Sequence, residues 1–119
     1  MFEMGKVAKR SGDIAIVSGG NERDRSVAIQ GQVTVSNSGE IRAALTNALR
    51  TKPTSVCVDL SSVAYLDTSG LATLIEAARI AHNQGTRLLL SGLRDQPRYL
   101  FEITHLDRFF ETAEAGATP

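Results

Sequence analysis

The fold turns on Val56-Cys57-Val58-Asp59-Leu60-Ser61-Ser62-Val63-Ala64-Tyr65-Leu66-Asp67-Thr68-Ser69-Gly70-Leu71, whose pattern runs on to Ala78. The apolar run at its start predicts a strand over Ser55–Asp59, covered on both faces. Ser61 to Leu66 reads as a serine-containing turn. From Leu71 the period changes. At about 100° per residue, Leu71, Leu74, Ile75 and Ala78 share one stripe of a half-buried helix. Ser69, Thr73, Glu76 and Ile80 fall on the opposite, solvent-facing side. Asp67, Thr68 and Ser69 carry side-chain oxygens of the kind that satisfy free N–H groups at a helix start. The stretch is strand, turn and capped helix, with hydroxyls at the positive end of the helix dipole.

Working outward, the helix runs to about Asn83, and Gly85 supplies a C-terminal cap. Leu88-Leu89-Leu90 is the next buried strand. A strand–helix–strand unit with short links is a right-handed crossover, so the two strands are parallel. Upstream, Ile14–Val17 and Ser26–Gln30 predict a hairpin across a charged loop, Ser18–Asp24, too long for a tight turn. A helix capped by Asn37 or Ser38 carries Ile41, Ala44, Leu45 and Ala48 on one stripe, and Pro53 lies beyond its end. Pro97 marks a last helix anchored by Leu100 and Ile103, after which Leu106, Phe109 and Phe110 close over the core. Residues 1–12 form an N-terminal segment that either adds an edge strand or frays. Residues 13–112 are the domain, and residues 113–119 are a flexible tail of small residues.

The 119 residues suffice for one domain with its own core. Thirteen basic and thirteen acidic side chains cancel, and no Lys/Arg run marks a nucleic-acid or acidic-membrane surface. A single cysteine, Cys57, rules out an internal disulfide and reads as a small buried hydrophobe. No apolar run approaches the roughly 18 residues of a membrane span, and the N-terminus lacks a signal-peptide apolar region. The expectation is a cytoplasmic protein. Asp59 and Asp67 invite comparison with a catalytic acid pair, but no histidine is placed to activate a nucleophile. His82 falls near the buried stripe, and His105 follows a helix. No Cys, His or carboxylate cluster has metal-ligand spacing. Neither metal, cofactor nor enzymatic activity is expected. With Ile80 as the one apolar residue expected in solvent, the chain should be monomeric or weakly self-associating.

Asp59-Leu60-Ser61-x-Val63 followed by Tyr65-Leu66-Asp67-Thr68-Ser69-Gly70-Leu71 resembles the signature of the STAS domain, in particular the bacterial anti-sigma factor antagonists. Gly85-x-x-Leu88-x-Leu90-x-Gly92-Leu93 and the segment from Pro97 to Phe110 resemble later parts of the same family. The resemblance runs from about Ser26 to Phe110. It implies an α/β domain, a STAS-like mixed β-sheet of four to five strands packed with amphipathic helices.

It also implies a phosphorylation-gated binding switch. Such a protein engages an anti-sigma factor with Ser/Thr kinase activity when unphosphorylated, frees the sigma factor, and is reset by a phosphatase. By that resemblance Thr68 is the phosphorylated residue, with Ser69 as the alternative. Asp67, Ser69, Thr73, Glu76 and Ile80 then form the partner face, and free helix N–H groups would hold the phosphate. The alternative within the family is a docking subunit of a membrane-associated lipid or anion transport complex. Two positions depart from the family pattern. Gly31-Gln32-Val33-Thr34 lacks the acidic pair of a Gly-Glu-Leu-Asp pattern, and His105 stands where glycine is favoured in a left-handed turn.

Overall fold

The computed structural model describes residues 7–11, 14–108 and 110–113. Residues 1–6, 12–13 and 109 and the tail beyond Ala113 lie outside the described residues, and so do the expectations placed on them. The elements in order are β1 (Val7–Ser11), β2 (Ile14–Gly20), β3 (Asp24–Val33), α1 (Ser38–Leu49), β4 (Ser55–Leu66), α2 (Thr68–Gln84), β5 (Arg87–Ser91) and α3 (Asp95–Ile103). A 3-10 turn, Leu106–Arg108, and β6 (Glu111–Ala113) complete them.

The strands form one mixed α/β sheet in the order β1-β2-β3-β4-β5-β6, six strands where four or five were expected. β1, β2 and β3 are antiparallel neighbours; β3 to β6 are parallel. Because the parallel strands advance in sequence order, right-handed crossovers place α1, α2 and α3 on one face. That face holds a single apolar cluster, from Ile16 and Ile29 through Val58 and Leu74 to Phe101. Val17, Ala28, Cys57 and Leu89 point to the other face and are only half-buried. Alternation along β4 therefore buries Val56, Val58 and Leu60 but leaves Cys57 partly accessible, contrary to a strand covered on both sides.

Three further expectations change. The β2–β3 connection is tight, since Asn21 Oδ1 accepts from the amides of Arg23 and Asp24, and Asn21 N donates to Asp24 O. Such an asparagine-centred turn lets pairing begin again at Gly20–Arg25. Ser61–Leu66 is not a turn but the second half of β4, kept in register with β3 through shifts after Ala28 and Gly31. Asp59 Oδ1 accepts from Ser61 N at 2.9 Å within this irregular stretch. In α3 the buried anchors are Pro97 and Phe101, with the Phe101 ring edge-on to Phe110 at 5.4 Å; Ile103 is 54% exposed. A helix starting at Asp95 turns position 103 away from the face shared by 97 and 101.

β4 outruns β5, whose pairing stops at Asp59–Ser91. The uncovered edge is finished by side chains following β5. Gln96 accepts from Leu66 N and donates to Leu66 O, each at 2.9 Å, supplying what a neighbouring strand would. Arg94 donates to Ser61 O. The β5–α3 link passes so close that a Cβ on Gly92, at φ 76°, would lie 2.6–2.7 Å from Ser61. Only glycine fits there.

Candidate functional site

The end of β4 delivers the chain into α2 at Asp67, the N-cap residue in extended conformation. Its Oδ1 accepts from the amides of Ser69 and Gly70 at 3.0 Å each and from Ser69 Oγ at 2.6 Å. Its Oδ2 accepts from Val35 N, also at 3.0 Å. One carboxylate thus caps α2 and pins the loop between β3 and α1. These donors, the Ser69 hydroxyl foremost, outweigh partial burial and hold the Asp67 carboxyl below its ordinary value of 3.8.

The loop has its own brace. Asn37 precedes α1, but its side chain turns back, donating to Gln32 O and accepting from Thr34 N. It is buried and does not cap the helix. Val35 is left 75% exposed beside the Asp67 turn.

Thr68 is the first residue of α2. Its side chain is exposed, and among the described residues its hydroxyl makes no hydrogen bond. Ser69 differs: it is half-buried, and its hydroxyl is committed to Asp67. Because Asp67 already occupies the amides of Ser69 and Gly70, a phosphate on Thr68 would not find them free. That corrects the expectation of a cradle at the helix start.

The rest of the expected partner face is rearranged. Thr73 is 1% exposed, and its Oγ1 donates to Ser69 O at 2.9 Å, so it is a core residue rather than a solvent-facing one. Ile80 is half-buried and packs on the apolar core. Glu76 is exposed but ion-paired with Arg42 of α1 at 2.8 Å. Thr73, Glu76, Ala77 and Ile80 line the seam with α1, across from Leu45 and Leu49. The buried arc of α2, which includes Gly70, Ala77 and Ala81, is turned by roughly a fifth of a turn from the expected stripe. Small residues let α1 and the strands approach. A Cβ on Gly70 would lie 2.5 Å from Leu66 Cδ1 and 2.6 Å from Val33 Cγ1.

The solvent row of α2 is therefore Thr68, Ala72, Glu76 and Arg79, of which Ala72 and Arg79 were not anticipated. Nor was the exposure of Val35, nor that of Tyr65, 43% exposed one residue before Leu66. A β-branched residue in a loop after a strand, as at Val35, was the available signal.

Asp59 and Asp67 are not brought into contact; each carboxylate is taken by its own local donors. His82 is exposed rather than near the buried stripe, and His105 is exposed at φ 60° in the left-handed region. Among the described residues, no group of three His, Cys, Asp or Glu side chains is placed to hold a metal. No helix among them is long and apolar enough to cross a membrane.

A mixed sheet whose second parallel strand, β4, leads into a carboxylate-capped helix is the setting of the Asp67-Thr68-Ser69-Gly70 motif. The family model "Mlab, STAS domain" matches residues 19–112. The chain belongs to the STAS domain family. An anti-sigma-B factor antagonist of Listeria monocytogenes is 37% identical over 54 residues, 45% of this chain and 47% of that protein. The intermembrane phospholipid transport system binding protein MlaB of Escherichia coli is 38% identical over 50 residues, 42% and 52% respectively. The chain thus spans about half the length of the curated relatives it matches. Among solved structures, an anti-sigma factor antagonist from Mycobacterium paratuberculosis superposes with a TM-score of 0.76, at 18% identity over 83% of this chain and 84% of that one. The Bacillus cell fate determinant SpoIIAA in its phosphorylated form superposes at 0.66, with 16% identity over 82% and 90%. Both solved structures share the fold of this chain.

Proposed function

We propose that this STAS domain is an anti-sigma factor antagonist, a non-enzymatic binding switch gated by phosphorylation of Thr68. The observation that carries the reading is the contrast at the start of α2. Thr68 offers an exposed, unengaged hydroxyl, whereas the Ser69 hydroxyl is tied to Asp67. A kinase can extract the first without disturbing the cap. The phosphorylated ester adds about −1.5 to −2 charges at pH 7 next to an ionised Asp67. With the nearby amides taken, that charge is presented outward. A partner surface fitted to Thr68, Ala72 and Val35 in their neutral form is repelled by it.

The partner is an anti-sigma factor that is itself a Ser/Thr kinase, with a phosphatase to reset the switch, in the cytoplasm. ATP belongs to the kinase, so the domain itself requires no cofactor. Incubation with the cognate kinase and ATP, followed by mass mapping, should place phosphate on Thr68 and none on Thr68→Ala. Binding should rank wild type close to Thr68→Ala, both well above Thr68→Glu. Phosphate on Ser69, or equal binding by the acidic variant, refutes the assignment. The similarity to MlaB favours a second reading, a constitutive docking subunit of a membrane-associated lipid or anion transport complex. Under that reading Thr68 stays unmodified, and affinity purification from the native cell recovers a transporter ATPase or permease.

A further inference from the structure

Helix α3 presents two large apolar side chains to solvent, Tyr99 at 62% and Ile103 at 54% exposure, one turn apart on the same face. Arg98 and Glu102 form a second row beside them, ion-paired at 3.3 Å and each more than half exposed. Pro97 and Phe101 hold the opposite face in the core, so the outward face is held rigidly in place. We infer that this face pairs with the same face of a second copy of the chain, the two α3 helices lying antiparallel about a dyad near Leu100 and Phe101.

Charge complementarity selects a second copy as the occupant. A dyad lying in the interface, across both helices, reverses their direction but keeps each row on its own side. The apolar row then meets the apolar row, Tyr99 against Ile103 of the second copy. The charged row meets the charged row in reverse order, Arg98 against Glu102. At the usual helix separation of about 8–10 Å these long side chains reach one another. A parallel arrangement, about a dyad along the helices, would instead set each charged row against the apolar row of the other copy. The face is self-complementary only when antiparallel. Its extent, two apolar side chains from each copy, is far below the roughly 800 Å² per partner of a stable interface, so the dimer is weak.

The test uses the whole chain. Sedimentation equilibrium should show reversible dimer formation with a dissociation constant on the order of 0.1 mM. In the wild-type chain, backbone amide shifts that move with concentration should cluster at residues 95–103, a measurement that needs no variant. Arg98→Glu and Glu102→Arg should each weaken self-association by about tenfold or more, through like-charge pairs across the dyad. An equimolar mixture of the two variants should associate at least as well as wild type, because the opposing rows are again of opposite sign. Circular dichroism serves as the folding control. A chain monomeric at millimolar concentration overturns the inference, as do concentration-dependent shifts on another element. A mixture that fails to restore association excludes the antiparallel pairing.

Discussion

Asp67 does more for the site than the hydroxyls around it, because one carboxylate serves as helix cap, loop anchor and fixed negative charge. Its ionised form is the one its donors favour, which lowers its pKa in the folded chain. A group with a depressed folded pKa contributes stability that is present above its unfolded value, here near 3.8, and is lost as pH falls through the folded one. Asp67→Asn should therefore flatten the acid limb of a stability profile between neutral pH and about pH 3. Urea midpoints of the two proteins measured across that range would show it; parallel profiles would mean the carboxylate is not stabilised. At neutral pH, Asp67→Ala should cost about 0.5–2 kcal/mol as the loss of a cap. Thr68→Ala should stay within about 0.5 kcal/mol of neutral, because its hydroxyl is exposed and unengaged. The contrast is a residue-level test that Asp67 is the cap and Thr68 the free hydroxyl.

Helix α2 is covered on two sides, by the sheet and by α1, which makes its energetics differ from those of a simple amphipathic helix. Leu74→Ala should cost on the order of 2–5 kcal/mol as a buried large-to-small change. Thr73→Ala, at a position equally buried and with an internal hydrogen bond, should cost about 1–2 kcal/mol, above the range of an exposed site. Gly70→Ala gains helix propensity but drives a methyl into Leu66 and Val33. Overpacking of this kind costs about 1–3 kcal/mol and should outweigh the gain. Chemical denaturation of the three variants should show the largest loss for Leu74→Ala and smaller losses for Gly70→Ala and Thr73→Ala. A Thr73→Ala protein as stable as wild type would place the residue at the surface.

At the scale of the whole molecule, the site is held from both flanks of β4. The loop after β3 reaches it through Val35 N on Asp67, and α3 reaches it through Gln96 on Leu66. Removing the amide leaves both Leu66 backbone groups without their partner. Gln96→Ala should therefore cost about 1–3 kcal/mol. Hydrogen exchange should reveal faster opening at Leu66 than at Val58, deeper in the sheet. Equal slowing or equal acceleration along β4 would mean that Gln96 does not secure the strand end. The open sheet face around Cys57 and the exposed edge of α3 lie outside this grip, so changes there should leave Thr68 where it is.

Much of this was legible in the chain alone. The parallel β4–α2–β5 unit, the Gly85 cap, the Asp67 start of α2 and the family motif all follow from local chemistry. Side-chain oxygens at a helix start, glycine at its end and a change of apolar period need no distant partner to be read. The left-handed turn at His105 was implied by the family resemblance, not by its own residue type. What only tertiary structure decided was which side of each element is covered. Thr73 and Ile80 fell on the polar side of a wheel weighted by large apolar residues, but α1 covers that side, with the small Ala77 at the seam, while Gly70 lets the strands close on the other flank. Ser61–Leu66 read as a turn because its serines break the apolar run, yet β3 pairs with it and Gln96 completes its end. Ile103 looked like an anchor until Phe101 fixed the rotation of α3. A period locates a helix, but burial is a property of two surfaces, and the second surface comes from elsewhere in the chain.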